Sequence, residues 1–216
     1  MQESLQKTER TTMTRHDERG SYERATAHAI LDEALVAHVG FDAGRGVTVI
    51  PMTYARVGES LYLHGAVASR WLSAFEQGRD ICVTVTLLDG LVLAKSAFSH
   101  SMNYRSVVLF GEAAVVTDEE EKAAAFRAFL DHLLPGRWED CRQPDRKETN
   151  ATTVLKLPIG EASIKIRSGP PKDAEKDLEL DYWTGVIPLE LTASAPLADD
   201  EATGAAPDYA RGYRRR

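Results

Sequence analysis

Between residues 34 and 167 the chain is a succession of short apolar, β-branched runs separated by tight turn signals, and this spacing restricts its possible folds severely. Runs over 34–41 (ALVAHVGF) and 47–57 flank the turn Asp42-Ala43-Gly44-Arg45-Gly46 and predict a hairpin. Gly58-Glu59-Ser60 turns the chain into a third strand over 61–64, which breaks at His64-Gly65-Ala66. Runs over 80–88 (DICVTVTLL) and 91–98 flank Asp89-Gly90, a dipeptide suited to a two-residue hairpin turn. A long strand over 104–116, bent at Gly111, and strand segments over 152–157 and 161–167 follow. Helices are predicted over 21–33 behind Ser21, over 68–77 stopped by Gly78, and over 118–134 behind the capping Asp118. Roughly seven strands in hairpin sequence do not alternate with helices. That excludes a doubly wound βαβ sheet and predicts a mainly β (α+β) fold, a closed antiparallel barrel with flanking helices.

The 216 residues suit one domain, and 43% hydrophobic residues supply a sizeable core. Residues 1–20 read as a flexible N-terminal segment, 21–190 as the folded domain and 191–216 as a disordered tail ending in RGYRRR. A net charge of −7 argues against a nucleic-acid partner. No run approaches the roughly 18 apolar residues that span a membrane, and the polar N-terminal stretch has no signal-peptide core. The expectation is a soluble, cytoplasmic protein without a membrane partner. Cys82 sits in an apolar run and reads as a buried thiol; with Cys141 it forms no disulfide framework.

Few motifs carry chemistry. The six histidines form no HExxH, and no Cys/His spacing suits zinc, so no metal site is expected. GxSxG, GxGxxG and GxxxxGK[ST] are all absent, which leaves no candidate catalytic residue. The segment 61–72 (LYLHGAVASRWL) is the exception, since it reads as a strand emptying into a helix start that carries Ser69 and Arg70. Helix N-termini attract anions, and a guanidinium can grip two phosphate oxygens at once. The plainer alternative is a strand–loop–helix link with a surface arginine. Pro51, within Ile50-Pro51-Met52-Thr53-Tyr54, cannot donate to a ladder and marks an edge or a bulge. Residues 99–106 (SHSMNYRS) form a polar loop entering a strand, and Trp183 is a large aromatic near the C-terminus.

Taken in order, HVGF at 38–41, VIPMTYARVGESLYLHGAVASRWL at 49–72, ICVTVTLLDGLVLAKSAFSHSMNYRSVVLFGEA at 81–113, PGRW at 135–138, and ASIKIRSGPP with YWTGVIPL within 162–189 resemble a known family. It is the flavin-nucleotide-binding branch of the pyridoxamine 5'-phosphate oxidase superfamily, closest to its nitroimidazole-reductase-like members. The resemblance implies an antiparallel, Greek-key-like FMN-binding split β-barrel. It further implies a homodimer with FMN at the interface and an oxidoreductase acting on a small or planar substrate. Arg70 would hold the phosphate with Ser69, Trp71, His64 and the backbone at Gly65 and Ala66. Pro51, Met52 and Thr53 would line the isoalloxazine through their backbone. Ser99, Tyr104, Arg105 and Trp183 would complete the site, in part across the dimer. Oxidases of this family carry an Arg-Lys pair after the serine where this chain has Arg70-Trp71, so oxidation of vitamin B6 is not expected. A flavin carrier or sensor without turnover, a haem-binding split barrel and a deazaflavin-dependent reductase are the alternatives.

Overall fold

The computed structural model describes residues 3–42, 44, 46–67 and 80–214. Its elements run β1 (Gly20–Ser21), α1 (Arg24–Glu33), β2 (Val36–Asp42), β3 (Val47–Val57), β4 (Ser60–Ala66), β5 (Asp80–Leu93), β6 (Ser101–Glu112) and β7 (Ala114–Val115). They continue with α2 (Glu119–Leu133), α3 (Arg146–Ala151), β8 (Thr152–Pro158), β9 (Glu161–Arg167), β10 (Gly185–Pro188) and α4 (Asp208–Arg211). The strands form one sheet in the order β1-β9-β6-β5-β2-β3-β4-β8-β7, with β10 added on β5. Only Ala113 separates β6 from β7, yet the two strands lie third and last in that order. The sheet must therefore curl so that one chain segment can serve both places, while β1 and β7 remain its edges. This is a split barrel, open where a closed ring is expected from the hairpin count.

Alternation explains which face is buried. Val39, Phe41, Val83, Val85, Val107, Leu109, Ile164 and Leu63 point inward at period two and form the main core with Ile30 and Leu31 of α1. A second cluster lies outside the barrel, where Phe129 and Ala125 of α2 cover Ala55, Tyr62 and Val154. Asp118 caps α2 as predicted, its carboxylate accepting the Glu121 N–H at 2.7 Å.

Three expectations need correction. Asp89-Gly90 is not a hairpin: β5 runs through it as one strand against β6, with a register shift between Leu88 and Gly90. A bulge uses the same flexible residues as a turn, and the apolar runs on both sides find one long partner. The strand at 61–64 does not break at His64, because β4 continues to Ala66 in register with Thr152 of β8. The first helix starts at Arg24, with Glu23 as its N-cap residue, and Ser21 pairs with Ile164 in a short strand instead.

The terminal segments make contacts that their composition hides. Leu5 is 3% exposed and Thr11 1%. The Leu5 N–H donates to Tyr22 O, and the Gln6 N–H to Gly160 O. Arg10 donates to Glu161 through Nε (2.8 Å) and Nη2 (2.7 Å), and Thr8 Oγ1 donates to the same carboxylate. At the other end, Tyr209 of α4 donates to Asp140 and accepts from Arg137.

The Arg10 and Thr8 donors hold the Glu161 carboxyl down at about 2, against an ordinary 4.5. A depressed folded-state value means that this contact stabilises fully above about pH 4.5 and is lost as pH falls toward 2. Glu161→Gln should therefore lower the urea midpoint at pH 7 and flatten its dependence on pH across that window. An unchanged acid dependence would remove Glu161 from the docking of the N-terminal segment.

Candidate functional site

The sheet forks between β3 and β4. β3 pairs with β4 only from Tyr54↔Leu63 to Val57↔Ser60. Before Tyr54, β3 pairs with β2 on its other side, from Val36↔Thr53 to Asp42↔Val47. Beyond Leu63, β4 stays with β8 alone. The two strands therefore fork, with Thr53 on one tine and His64 on the other. Among the described residues, the edges that face each other across the fork have no strand partner, and their N–H and C=O groups are available to a ligand. Pro51 fits this arrangement because half of β3 has a partner on one side only. Pro51 and Thr53 face outward, whereas Met52 packs against the main core and can offer a ligand only its backbone.

His64 faces outward beneath α2, its ring 4.4 Å from that of Phe129 (centroid to centroid). Among the described residues, its Nδ1 is buried without a hydrogen-bond partner. Burial also holds the imidazole pKa below its ordinary value, so the ring is neutral at physiological pH and adds no positive charge to the fork. Gly65 and Ala66 lie along the same tine, opposite Thr153 and Thr152. Ser69, Arg70 and Trp71, with the predicted helix over 68–77, lie outside the described residues.

The remaining candidates stand elsewhere. Ser99 ends a short 3-10 turn, Ala97–Ser99, just before β6, and Trp183 precedes β10. Both lie at the far end of β5, where Val92 pairs with Ser101 and Leu93 with Gly185. The fork reaches β5 through His38, which pairs with both Pro51 and Thr84. From Thr84 to Leu93 a strand covers about 30 Å. Within one chain, a single flavin ring cannot bridge that distance. Tyr104 faces outward between the two places. Arg105 faces the other way and donates to Glu33 of α1 and to Asp89, with Nη2–Oδ1 at 2.7 Å to the latter. These carboxylates already occupy its guanidinium. They line one wall of a cleft of about 900 Å³ that also holds Leu87, Leu189 and Leu191.

Sequence reasoning put Phe98 at the end of a strand and Ser99 and His100 in a polar loop, whereas the structure joins the three in one turn. Phe98 is 95% exposed and Trp183 69%. The turn is held firmly nonetheless: Asp173 accepts the N–H groups of Lys95 (2.9 Å) and Ser96 (3.4 Å). Lys95 Nζ in turn donates to Leu180 O and Tyr182 O. An exposed phenylalanine in the sequence could have flagged the turn only if its exposure were known in advance.

No group of three or more His, Cys, Asp or Glu side chains is placed to hold a metal ion among the described residues. Both cysteines carry free thiols, and burial pushes the Cys82 thiol pKa up. No helix among the described residues is long and apolar enough to cross a membrane.

Comparison with known proteins places this geometry. The chain is similar to the flavocytochrome Anf3 from Azotobacter vinelandii, with 41% identity over 96% of this chain and 97% of that one and a TM-score of 0.91. It is also similar to an FAD- and haem-binding protein from Mycobacterium smegmatis, with 35% identity, 90% and 96% coverage and a TM-score of 0.85. A 5-nitroimidazole antibiotic resistance protein from Bacteroides thetaiotaomicron, described as putative, shares the fold at 22% identity, with 68% and 86% coverage and a TM-score of 0.58. Functionally curated proteins yield no match. The sequence signature of the family described as Pyridoxamine 5'-phosphate oxidase matches residues 23–166, two thirds of the chain. Signature and sheet agree, and the chain belongs to the pyridoxamine 5'-phosphate oxidase-like family of split barrels.

Proposed function

We propose that this protein is a flavin-binding redox protein that also carries haem. Its likeness to a flavocytochrome, at 41% identity over nearly the whole of both chains, carries this reading. The relative at 35% identity, described as binding FAD and haem, supports it independently. The fork fits a flavin. Among the described residues, backbone without a strand partner lies on both tines, Pro51 and Thr53 flank it, and the segment bearing Ser69, Arg70 and Trp71 follows β4 in the sequence. A flavin exchanges one or two electrons and a haem iron one; the protein's part is to bind, orient and tune them. The sequence resemblance favours FMN, the smaller of the two flavin nucleotides, because Arg70 is the one arginine offered for a phosphate. A homodimer accounts for the distance between the fork and the Ser99–Trp183 end, which a second copy would bring to the flavin. A small-molecule electron donor or acceptor is the corresponding partner, and an oxidoreductase the corresponding class.

The absorption spectrum of the protein as purified tests this reading. Flavin bands together with a Soret band are expected; the absence of both after incubation with flavin and haemin would refute it. Chromatography of the flavin released on denaturation separates FMN from FAD. Arg70→Ala should weaken flavin binding by roughly 10–150-fold, through loss of a charge-assisted pair of about 1.5–3 kcal/mol. Unchanged affinity in a flavin titration would take Arg70 out of the site.

A further inference from the structure

The imidazole of His100 is set as a metal ligand is set. Its Nδ1 lies 2.9 Å from Ser96 O. A carbonyl only accepts, so Nδ1 must carry the proton, and in the neutral ring Nε2 is left with a free lone pair. Ligating histidines characteristically have their other nitrogen tied to a carbonyl or carboxylate in this way. The carbonyl is itself fixed: Ser96 O also accepts the Ser99 N–H at 3.0 Å, Ser96 Oγ accepts the Phe98 N–H at 3.2 Å, and Asp173 holds the Ser96 N–H. The ring is exposed, in a turn flanked by Phe98 and by Met102, which is itself about half exposed. Beside Met102, across the sheet, stand Leu91 and then Ile187, both partly exposed. An oriented imidazole beside an uncovered apolar surface is what a flat, largely apolar iron macrocycle requires.

The other histidines are placed differently. His132 Nε2 is bonded to Ala34 O, the His64 ring is packed on Phe129, and His28 and His16 lie against Glu59 and Glu18. His38 lies beside the fork, opposite Pro51. The anchors of the His100 turn, Asp173 and the carbonyls of Leu180 and Tyr182, lie beyond the 23–166 family match. The likeness to the flavocytochrome extends over 96% of the chain and so takes in most of that stretch.

We propose that His100 Nε2 is a ligand of the haem iron, in a site at the β6–β10 end of the sheet that is separate from the flavin fork of the same chain. This rests on the haem half of the proposed function. The test loads full-length wild type, His100→Ala and His38→Ala with haemin and flavin and records spectra. Wild type and His38→Ala should show both the Soret band and flavin bands. His100→Ala should keep its flavin bands and bind haem roughly 10–100-fold more weakly or worse, judged from the effect of losing even an outer-shell partner. Free imidazole should restore its Soret band. A wild-type Soret band in His100→Ala overturns the assignment, as does loss of haem in His38→Ala instead. Loss of flavin from His100→Ala also overturns it and moves His100 to the flavin of a partner copy. A wild type that takes up flavin but no haem refutes the haem half of the proposed function itself, a result distinct from all of these.

Discussion

Tyr54→Ala is expected to destabilise the protein by about 3–5 kcal/mol, the range for removing a large aromatic from a packed core. That is a large share of the roughly 5–15 kcal/mol that keeps a domain folded. Tyr54 is 0% exposed and sits where β3 changes partners from β2 to β4. Its hydroxyl lies 2.6 Å from Leu31 O and 3.0 Å from Ala34 O, and its one proton is shared between them. Both carbonyls belong to the end of α1, where a helix leaves its last acceptors without intrahelical donors. His132 of α2 reinforces the junction: its Nε2 donates to Ala34 O at 2.7 Å, and its ring is 5.0 Å from that of Tyr54. One side chain thus joins α1, α2 and the root of the fork. Tyr54→Phe separates the two contributions, since it keeps the ring and removes the donor, for about 1–2 kcal/mol. Urea denaturation of the three proteins gives the comparison. An alanine variant as stable as the phenylalanine variant would show that the ring does not anchor the junction.

Period-two alternation was legible because burial enforces it. The observed span of β3 is the predicted 47–57, and α2 lies within one residue of its prediction because Asp118 caps it. The errors fall where one local signal serves two structures. Asp-Gly between apolar runs suits a hairpin or a bulge, and only the existence of β6 as a partner for both halves decides between them. Leu5 and Thr11 were missed because two residues in a polar stretch give no periodic pattern, although the barrel has places for both. Of the candidate site, the β3 tine was readable from Pro51, whereas the β4 tine was not, because His64-Gly65-Ala66 reads as a break and β4 runs straight through it. The distance from the fork to Ser99 and Trp183 was not readable, since it depends on β2 and β10 sharing one edge of β5 at opposite ends. The preset imidazole of His100 was not readable either, as it rests on a carbonyl whose direction no sequence pattern encodes.

Gly90→Val tests the bulge and the architecture beyond it. A Cβ at residue 90 would stand 3.0 Å from Ile187 O and 3.1 Å from Val186 Cγ1, closer than side chains ordinarily approach. The nearest of these is backbone, so β10 must move away from β5 rather than a side chain turning aside. The expected cost is about 1–3 kcal/mol, the range for overpacking, with loss of hydrogen-exchange protection at the amides of 185–188. Gly160→Ala is the control, because its Cβ would meet nothing within 4 Å. It should stay within about 0.5 kcal/mol of wild type. If Asp89-Gly90 were a hairpin turn, β10 would not pack on Gly90 and its protection would survive the substitution. The consequences for ligands follow from the topology. β10 carries forward from the Leu180–Tyr182 stretch whose carbonyls hold Lys95, so its displacement loosens the His100 turn. The fork is built from β3 and β4, and among the described residues β10 pairs with β5 and with neither of them. Gly90→Val should therefore weaken haem binding more than flavin binding, which β10 reaches only through the Trp183 end of a second copy, and an equal loss of both would show that the two ends of β5 act as one site.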